Sequence, residues 1–361
     1  MKKTILFVLT LCLCFAVFGA GVTETAVTDL IKAAEYYRKA LEQGGADDPE
    51  ILQAVDELAV SLRQTGLDAY KAGDYGKAMK YYQLATDFGN PEGWRGIGFL
   101  YQNALGVEQD YGKAMEYYRT AADQGDVKSL INIGLMYANG EGVEQDSGKA
   151  EEYFLQAADL GESTGLLNLG IIYEFGNGVE QDYSKAFGYY QQAAGQGNAE
   201  AQYHLGMCYY YGRGVEKSVE ETLKYIRMSA EQEVPVALVM LGYCYSSGVG
   251  VEQDYAEAAK YYQMAADMGD EYAQFNLGFC YDQGEGVEQD YGKALEYYTL
   301  AAEQGLPAAI FAVGDCYYQG KGIEKDLDKA AEYYRKALNV GYEPDETDRA
   351  HLKAVLGDEG N

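Results

Sequence analysis

The sequence predicts an all-α solenoid of antiparallel helix pairs, and three observations support this prediction. A hexapeptide, Gly-Val-Glu-Gln-Asp-Tyr at Gly106–Tyr111, returns with small changes at 142, 178, 214, 250, 286 and 322, so seven copies are spaced by 36 residues. A Leu-Gly-x-x-Tyr block precedes each copy, and an Ala- and Tyr-rich block follows it. A period of this length is typical of solenoids, in which one supersecondary unit stacks on the next because it cannot bury its apolar face alone.

The segment before the repeats is expected to close one end of the array. Thr28–Gln43 carries apolar residues at the i, i+3, i+4, i+7 spacing of an amphipathic helix. Two further helical stretches, Pro49–Ala72 and Asp74–Phe88, share the later pattern but lack the hexapeptide. We therefore predict a capping helix and an adapted first repeat at 28–90.

The first helix of each unit contains a glycine at a fixed position. Ile97-Gly98-x-x-Tyr101 opens this series, and Val313-Gly314-x-x-Tyr317 closes it. Glycine inside a helix costs ~1 kcal/mol relative to alanine. A glycine kept at this position therefore predicts a close helix–helix contact that a Cβ would obstruct.

The hexapeptide itself is interpreted as a turn. Paired glycines such as Gly140 and Gly142 supply left-handed backbone positions after helix one, whereas Ala104 replaces the leading glycine in the first full unit. Val107 is expected to pin the loop between helices, and Asp110 to cap helix two. The hexapeptide is thus predicted to be part of the scaffold.

Helix two reads Lys113-Ala114-x-x-Tyr117-Tyr118-x-x-Ala121-Ala122-x-x-Gly125, and this pattern recurs as far as Gly341. Small alanines permit tight stacking, and the last glycine ends the helix. Seven units therefore occupy 91–342. Within 343–361, Asp345–Leu356 is predicted to form a polar helix that covers the last unit, as terminal repeats must.

Together these motifs resemble the Sel-one-like repeat (SLR) family, a relative of the tetratricopeptide repeats. Trp94 also completes the Trp-x-x-Leu-Gly-x-x-Tyr spacing of a tetratricopeptide first helix. The resemblance implies a right-handed superhelix that serves as an adaptor or scaffold for other proteins. Its members include endoplasmic-reticulum degradation adaptors and many exported bacterial proteins.

The N-terminus and the charge indicate where the chain acts. Lys2 and Lys3 precede an apolar run from Ile5 to Phe18, which is typical of a secretory signal at 1–20. We expect export to the periplasm, envelope or exterior of a bacterium, or to the endoplasmic reticulum lumen of a eukaryote, with no membrane span in the mature chain. The net charge of −29 repels phosphate backbones and argues against nucleic-acid partners.

Candidate catalytic or metal-binding residues are few. The histidines are His204, interpreted as a hydrogen-bonding helix residue, and His351, interpreted as a surface residue. Four mature cysteines recur at the 36-residue period in an apolar slot of helix one, about 10 Å apart and beyond the ~7 Å limit for a disulfide. We predict buried free thiols and assign no catalytic, cofactor or metal residue. The cysteines are Cys208, Cys244, Cys280 and Cys316.

The candidate binding surface is the concave face formed by the first helices. By analogy with tetratricopeptide repeats, groove-facing slots lie two residues before and two after the helix-one Leu, and directly after its Tyr. Aromatic anchors in these slots would suit an extended or helical segment with apolar and basic residues. The alternative is that they only pack between neighbouring first helices. The candidates are Tyr203, Met207, Tyr210, Tyr243, Phe275, Phe279, Phe311 and Tyr318.

The sequence therefore predicts a non-catalytic scaffold that binds a protein or peptide, and it leaves the oligomeric state open. Some secreted SLR proteins have paired cysteines and β-lactamase-like activity, but this chain has one cysteine per repeat and no Ser-x-x-Lys pair. A hydrolase of that type is thus a disfavoured alternative. A structural or glycan-binding envelope protein is the third alternative.

Overall fold

The computed structural model describes residues 24–42 and 48–357, so the predicted signal peptide lies outside the described residues. This described part consists of eighteen α-helices and their connections, without strands. The chain divides into two compact units, residues 1–181 and 182–361. The all-α class predicted from the repeats is confirmed. The finer division into caps and 36-residue units stays a prediction.

The described residues of the first unit form eight helices, and each packs against the next along the chain. The helix at Pro49–Lys71, which precedes the turn at Gly73, matches the stretch predicted at Pro49–Ala72. The helices are α1 (Glu24–Glu42), α2 (Pro49–Lys71), α3 (Tyr75–Thr86), α4 (Pro91–Gln102), α5 (Tyr111–Asp123), α6 (Val127–Asn139), α7 (Ser147–Asp159) and α8 (Ser163–Phe175).

In the second unit, residues up to 357 form ten helices, and each again packs against the next along the chain. Helices with even numbers from α10 to α16 are the first helices of their repeats. The helices are α9 (Tyr183–Gly195), α10 (Ala199–Tyr211), α11 (Val219–Ala230), α12 (Pro235–Ser247), α13 (Tyr255–Asp267), α14 (Glu271–Gln283), α15 (Tyr291–Glu303), α16 (Pro307–Gln319), α17 (Leu327–Asn339) and α18 (Glu346–Leu356).

The glycines inside the first helices make the close contact that the sequence predicts. A Cβ on Gly242 would lie 2.6 Å from the ring of Tyr262 in α13. A Cβ on Gly98 would lie 2.8 Å from the ring of Tyr118 in α5. In these repeats the aromatic side chain of helix two therefore rests on the bare backbone of helix one, which is why glycine is retained there.

The hexapeptide has the turn role that was predicted for it. Gly140 ends α6 with φ 73°, and Gly142 follows with φ 69°, so both occupy the left-handed region. The Asp110 carboxylate accepts a hydrogen bond from the Lys113 amide at the start of α5. Val107 packs on the adjacent apolar cluster. These contacts confirm the scaffold interpretation of the motif.

Two turns within the described residues keep a left-handed conformation without a glycine. Ala104 has φ 55°, although it stands where the other full units have glycine. Glu233 has φ 59° at the end of α11, where neighbouring repeats have Gly197 and Gly269. A side chain with a Cβ is strained in this region by about 1–2 kcal/mol. Tertiary packing therefore imposes the same turn on residues that disfavour it.

The closing helix α18 begins with a reciprocal cap between Asp345 and Asp348. Its Leu352 and Leu356 are buried in the same apolar cluster as the last helix pair. A helix thus occupies Glu346–Leu356, within the stretch predicted at Asp345–Leu356, and its role as a cap stays a prediction. Its apolar face covers core that the final repeat could not bury alone.

Candidate functional site

The eight candidate residues of the predicted binding surface all lie in the second unit, on α10, α12, α14 and α16. We call the surface formed by their slots on these first helices the helix-one face. Each slot recurs from one repeat to the next, so neighbouring repeats contribute equivalent side chains. The structure shows which of these side chains reach solvent and which are taken up by packing.

Two equivalent aromatic residues, one on α12 and one on α14, are the most exposed candidates. Tyr243 is 41 % exposed and Phe279 is 43 % exposed. Tyr210, from the preceding repeat, forms a side-chain hydrogen bond with Tyr243, and this bond is the largest cause that raises the Tyr210 pKa. The helix-one face therefore presents aromatic side chains that are oriented by their neighbours and still accessible.

Three other candidates are partly buried and contribute to packing. Tyr203 and Met207 pack against the apolar cluster centred on α12 and α13. The ring centroid of Phe275 lies 5.6 Å from that of Tyr298 on α15. These residues therefore have an interhelical packing role, which was the alternative considered for the whole set, and they expose only part of their surface.

Phe311 differs from the other candidates because it is only 3 % exposed. Its ring stacks between Tyr334, at a centroid distance of 4.7 Å, and Tyr342, at 4.6 Å. Tyr342 is the last residue of the final repeat and covers the slot. Phe311 is thus a core residue, and it offers almost no surface to a partner.

The end of the helix-one face carries a polar cluster that the sequence did not reveal. Asp315 accepts a hydrogen bond from the Tyr334 hydroxyl at 2.5 Å, and Nδ1 of His351 lies 2.9 Å from the same carboxylate oxygen. The His351 ring also contacts Tyr318, at a centroid distance of 4.9 Å. The interpretation of His351 as a surface residue was wrong. The clue was that His351 follows Asp315 by one 36-residue period.

Burial changes the pKa of the carboxylic acid in this cluster. Removal of water raises the pKa of Asp315, and the Tyr334 hydroxyl and His351 counteract this effect. Elsewhere on the face, Asp282 pairs with Lys321 at 2.8 Å. The carboxylates near the aromatic slots are therefore engaged with donors from the same unit.

Side chains with catalytic potential are held in packing roles. His204 stacks on Tyr190, with ring centroids 4.8 Å apart. The four cysteines in the described part of the chain are buried, and Cys244, Cys280 and Cys316 are free thiols. Burial raises the pKa of Cys244 and Cys280 to about 11, so these thiols stay protonated at neutral pH and are poor nucleophiles.

Two features of the described residues bear on metal ions and membranes. Among residues 24–42 and 48–357, no group of three or more His, Cys, Asp or Glu side chains could hold a metal ion. Over the same residues, no helix combines the length and apolar character that a membrane span requires.

The fold and the aromatic slots define the class: an α-solenoid repeat protein. The chain belongs to the Sel1 repeat family. Its family profile, described as the Sel1 repeat, matches nine segments and more than half of the chain. These segments are residues 17–45, 53–90, 95–126, 127–162, 163–198, 199–234, 235–270, 271–306 and 307–342.

Solved structures support the same assignment. A protective antigen with an SLR fold from uropathogenic Escherichia coli is 29 % identical, with 93 % of this chain and 79 % of that chain covered and a TM-score of 0.60. A Sel1 repeat protein from Oxalobacter formigenes is also 29 % identical, with 90 % of this chain and 93 % of that chain covered and a TM-score of 0.61. A comparison with curated proteins found no match.

Proposed function

We propose that this Sel1 repeat protein is a non-catalytic scaffold that binds a segment of another protein on the helix-one face of its second unit. The exposure of Tyr243 and Phe279 in equivalent slots carries this proposal. Large aromatic side chains that stay exposed next to each other on a rigid scaffold are typical anchors of an interface. Tyr210 extends the same surface by one repeat.

Charge favours a segment that combines apolar and basic residues. The chain has 57 acidic and 28 basic residues, so a positively charged partner is attracted over a long range. Aromatic anchors would then bury apolar side chains of the segment. We leave Phe311 out of the contact surface because Tyr342 covers it.

The experiment is affinity capture from the native host, followed by mass spectrometry. The test variant combines Tyr243→Ala with Phe279→Ala, which removes both exposed rings. The matched control combines Tyr255→Ala with Tyr291→Ala, because these two tyrosines are 37 % exposed but lie at the first residues of second helices. Loss of the same captured protein in the test variant alone supports the proposal. Equal capture by both variants refutes it.

We also propose that the protein is exported. The basic and apolar pattern of residues 1–20 supports this location. N-terminal sequencing of the protein from fractionated host cells tests it. A new N-terminus near residue 20 in an exported fraction is the expected result, and an uncleaved chain in the cytosol would contradict it.

A further inference from the structure

A second candidate site lies in the first unit, away from the helix-one face of α10–α16. A cavity of about 340 Å³ opens between α2, α4 and α6. Arg63, Arg95 and Lys128 line it together with the rings of Tyr70 and Phe99. We call this the basic cavity. It concentrates three of the chain's 28 basic residues in one concave surface.

The two arginines occupy equivalent positions of successive repeats. Each stands three residues before a glycine whose Cβ would meet the ring of a helix-two tyrosine: Gly66 with Tyr82, and Gly98 with Tyr118. These glycines are 32 residues apart because the first turn lacks the hexapeptide. Arg63 and Arg95 therefore belong to one row of the scaffold, and the shorter spacing hides this relation in the sequence.

The carboxylates next to the basic cavity leave its charge positive. Oε2 of Glu92 lies 3.2 Å from Nε of Arg63 and 3.4 Å from Nη2 of Arg95. Asp126 is buried and pairs with Nη1 of Arg95 at 2.5 Å. Lys128 is exposed and has no ion pair with any residue that the structure describes. Three cations and one carboxylate, Glu92, line the basic cavity, so its lining is positive although the chain has a net charge of −29.

Hydrogen-bond donors also exceed acceptors in the basic cavity. Arg63 donates one side-chain hydrogen bond within the described residues, from Nη1 to Gln64, and its Nε makes none despite the nearby Glu92. A guanidinium has five N–H donors, and the Lys128 ammonium adds three. An occupant that satisfies these groups must supply acceptor oxygens, and a carboxylate does so with the matching charge.

The aromatic side of the basic cavity selects for an apolar group beside that carboxylate. The Phe99 ring is 39 % exposed and meets the Tyr70 ring edge-on, with centroids 5.7 Å apart. Covering this exposed ring with an apolar group favours binding, because it removes apolar surface from water. The volume of about 340 Å³ is at the small end for ligand sites and accommodates one or two side chains.

We propose that the basic cavity binds an acidic peptide segment of a partner protein, with an Asp or Glu side chain against Arg63 and Lys128 and an adjacent aromatic or aliphatic side chain against Phe99. Arg95 and Phe99 stand in groove-facing slots of the first full repeat, so a bound segment would run along first helices. The segment proposed for the basic cavity is acidic, whereas the segment proposed for the second unit is basic. It does not depend on Tyr243 or Phe279.

The experiment selects binders for the full chain from a phage-displayed library of random dodecapeptides. Enriched peptides are then synthesised with blocked ends and titrated by fluorescence anisotropy at low and high NaCl. We expect a group of peptides in which Asp or Glu adjoins an aromatic or aliphatic residue, and whose Kd rises with salt.

Charge variants locate these peptides on the molecule. Lys128→Glu should raise their Kd about tenfold, and Arg63→Gln should also weaken binding, because each removes a cation that faces the carboxylate. Lys80→Glu is the matched control, since it makes the same charge change at an exposed site of α3 in the same unit. Circular dichroism verifies that the three variants are folded.

Several results would overturn the proposal: no enrichment of acidic peptides, a Kd insensitive to both Lys128→Glu and Arg63→Gln, or equal weakening by Lys80→Glu. Binding of N-acetylphenylalanine as tight as that of the peptides would show a small-molecule site instead. Retention of these peptides by the Tyr243→Ala, Phe279→Ala variant separates this site from the proposed function of the second unit.

Discussion

The contact between a helix-one glycine and a helix-two ring can be tested by adding a single methyl group. In Gly242→Ala, the new Cβ would lie 2.6 Å from Cε1 and 2.8 Å from Cδ1 of Tyr262, about 1 Å closer than normal contact. Tyr262 is only 5 % exposed, so its ring cannot move into solvent. Overpacking of this kind costs about 1–3 kcal/mol, and helix propensity returns about 1 kcal/mol. We therefore expect a net loss of up to about 2 kcal/mol.

A matched glycine provides the control. Gly188 lies inside α9, and a Cβ there would meet nothing within 4 Å. Gly188→Ala should therefore stabilise the protein by about 1 kcal/mol, the opposite sign. Gly206→Ala should fall between the two, because its Cβ would meet the Ile226 side chain at 3.0 Å.

The assay is urea unfolding followed by circular dichroism, with the midpoint and slope compared among the variants. The slope has to be watched because repeat proteins can unfold in more than one step. In the double variant with Tyr262→Leu, Gly242→Ala should become less harmful, since the obstructing ring is gone. If Gly242→Ala stabilises the protein as much as Gly188→Ala does, the packing argument is refuted.

Three further predictions concern single sites. Ala104→Gly and Glu233→Gly should each stabilise the protein by about 1 kcal/mol, because both residues have positive φ; an unchanged urea midpoint would contradict this. Burial raises the pKa of Tyr262 from 10.0 to about 12, so the stability that it contributes is complete below pH 10 and is lost as the pH rises towards 12, by about 2 kcal/mol. Tyr262→Phe should flatten this alkaline decline in urea midpoint, and an equally steep decline in the variant would count against it. His351→Ala removes one of the two partners of Asp315, at 2.9 Å, so amide hydrogen exchange should speed up in α18 and stay unchanged in α10; unchanged exchange in α18 would show that the contact does not hold this helix.

The scaffold could be predicted closely because its determinants are local in sequence. Asp110 caps its helix, Gly140 takes the left-handed turn and Gly98 meets a close neighbour, as expected. Each of these roles depends on backbone geometry within a few residues, or on the cost of placing glycine in a helix. The period then repeats the same information in every unit.

The candidate site could be predicted only in part, because exposure depends on residues from other helices. Tyr243 and Phe279 remain accessible, whereas Phe311 in the same kind of slot is covered by Tyr342. His351 pairs with Asp315, although sequence reasoning placed it on the surface. Equivalent slots thus have different environments near the end of the array, where the periodic pattern stops.

The sequence alone determined the all-α repeat class and the roles of the hexapeptide, because turn and cap geometry act over short distances along the chain. Tertiary structure decided which slots face solvent and which cations share a cavity. Arg63 and Arg95 meet in the basic cavity because they occupy equivalent positions of successive repeats. The shorter first turn places them 32 residues apart instead of 36, and the packing of Gly66 against Tyr82 reveals their equivalence. The burial and charge pairing of a side chain depend on neighbours from several helices, so they are determined only when those helices are packed together.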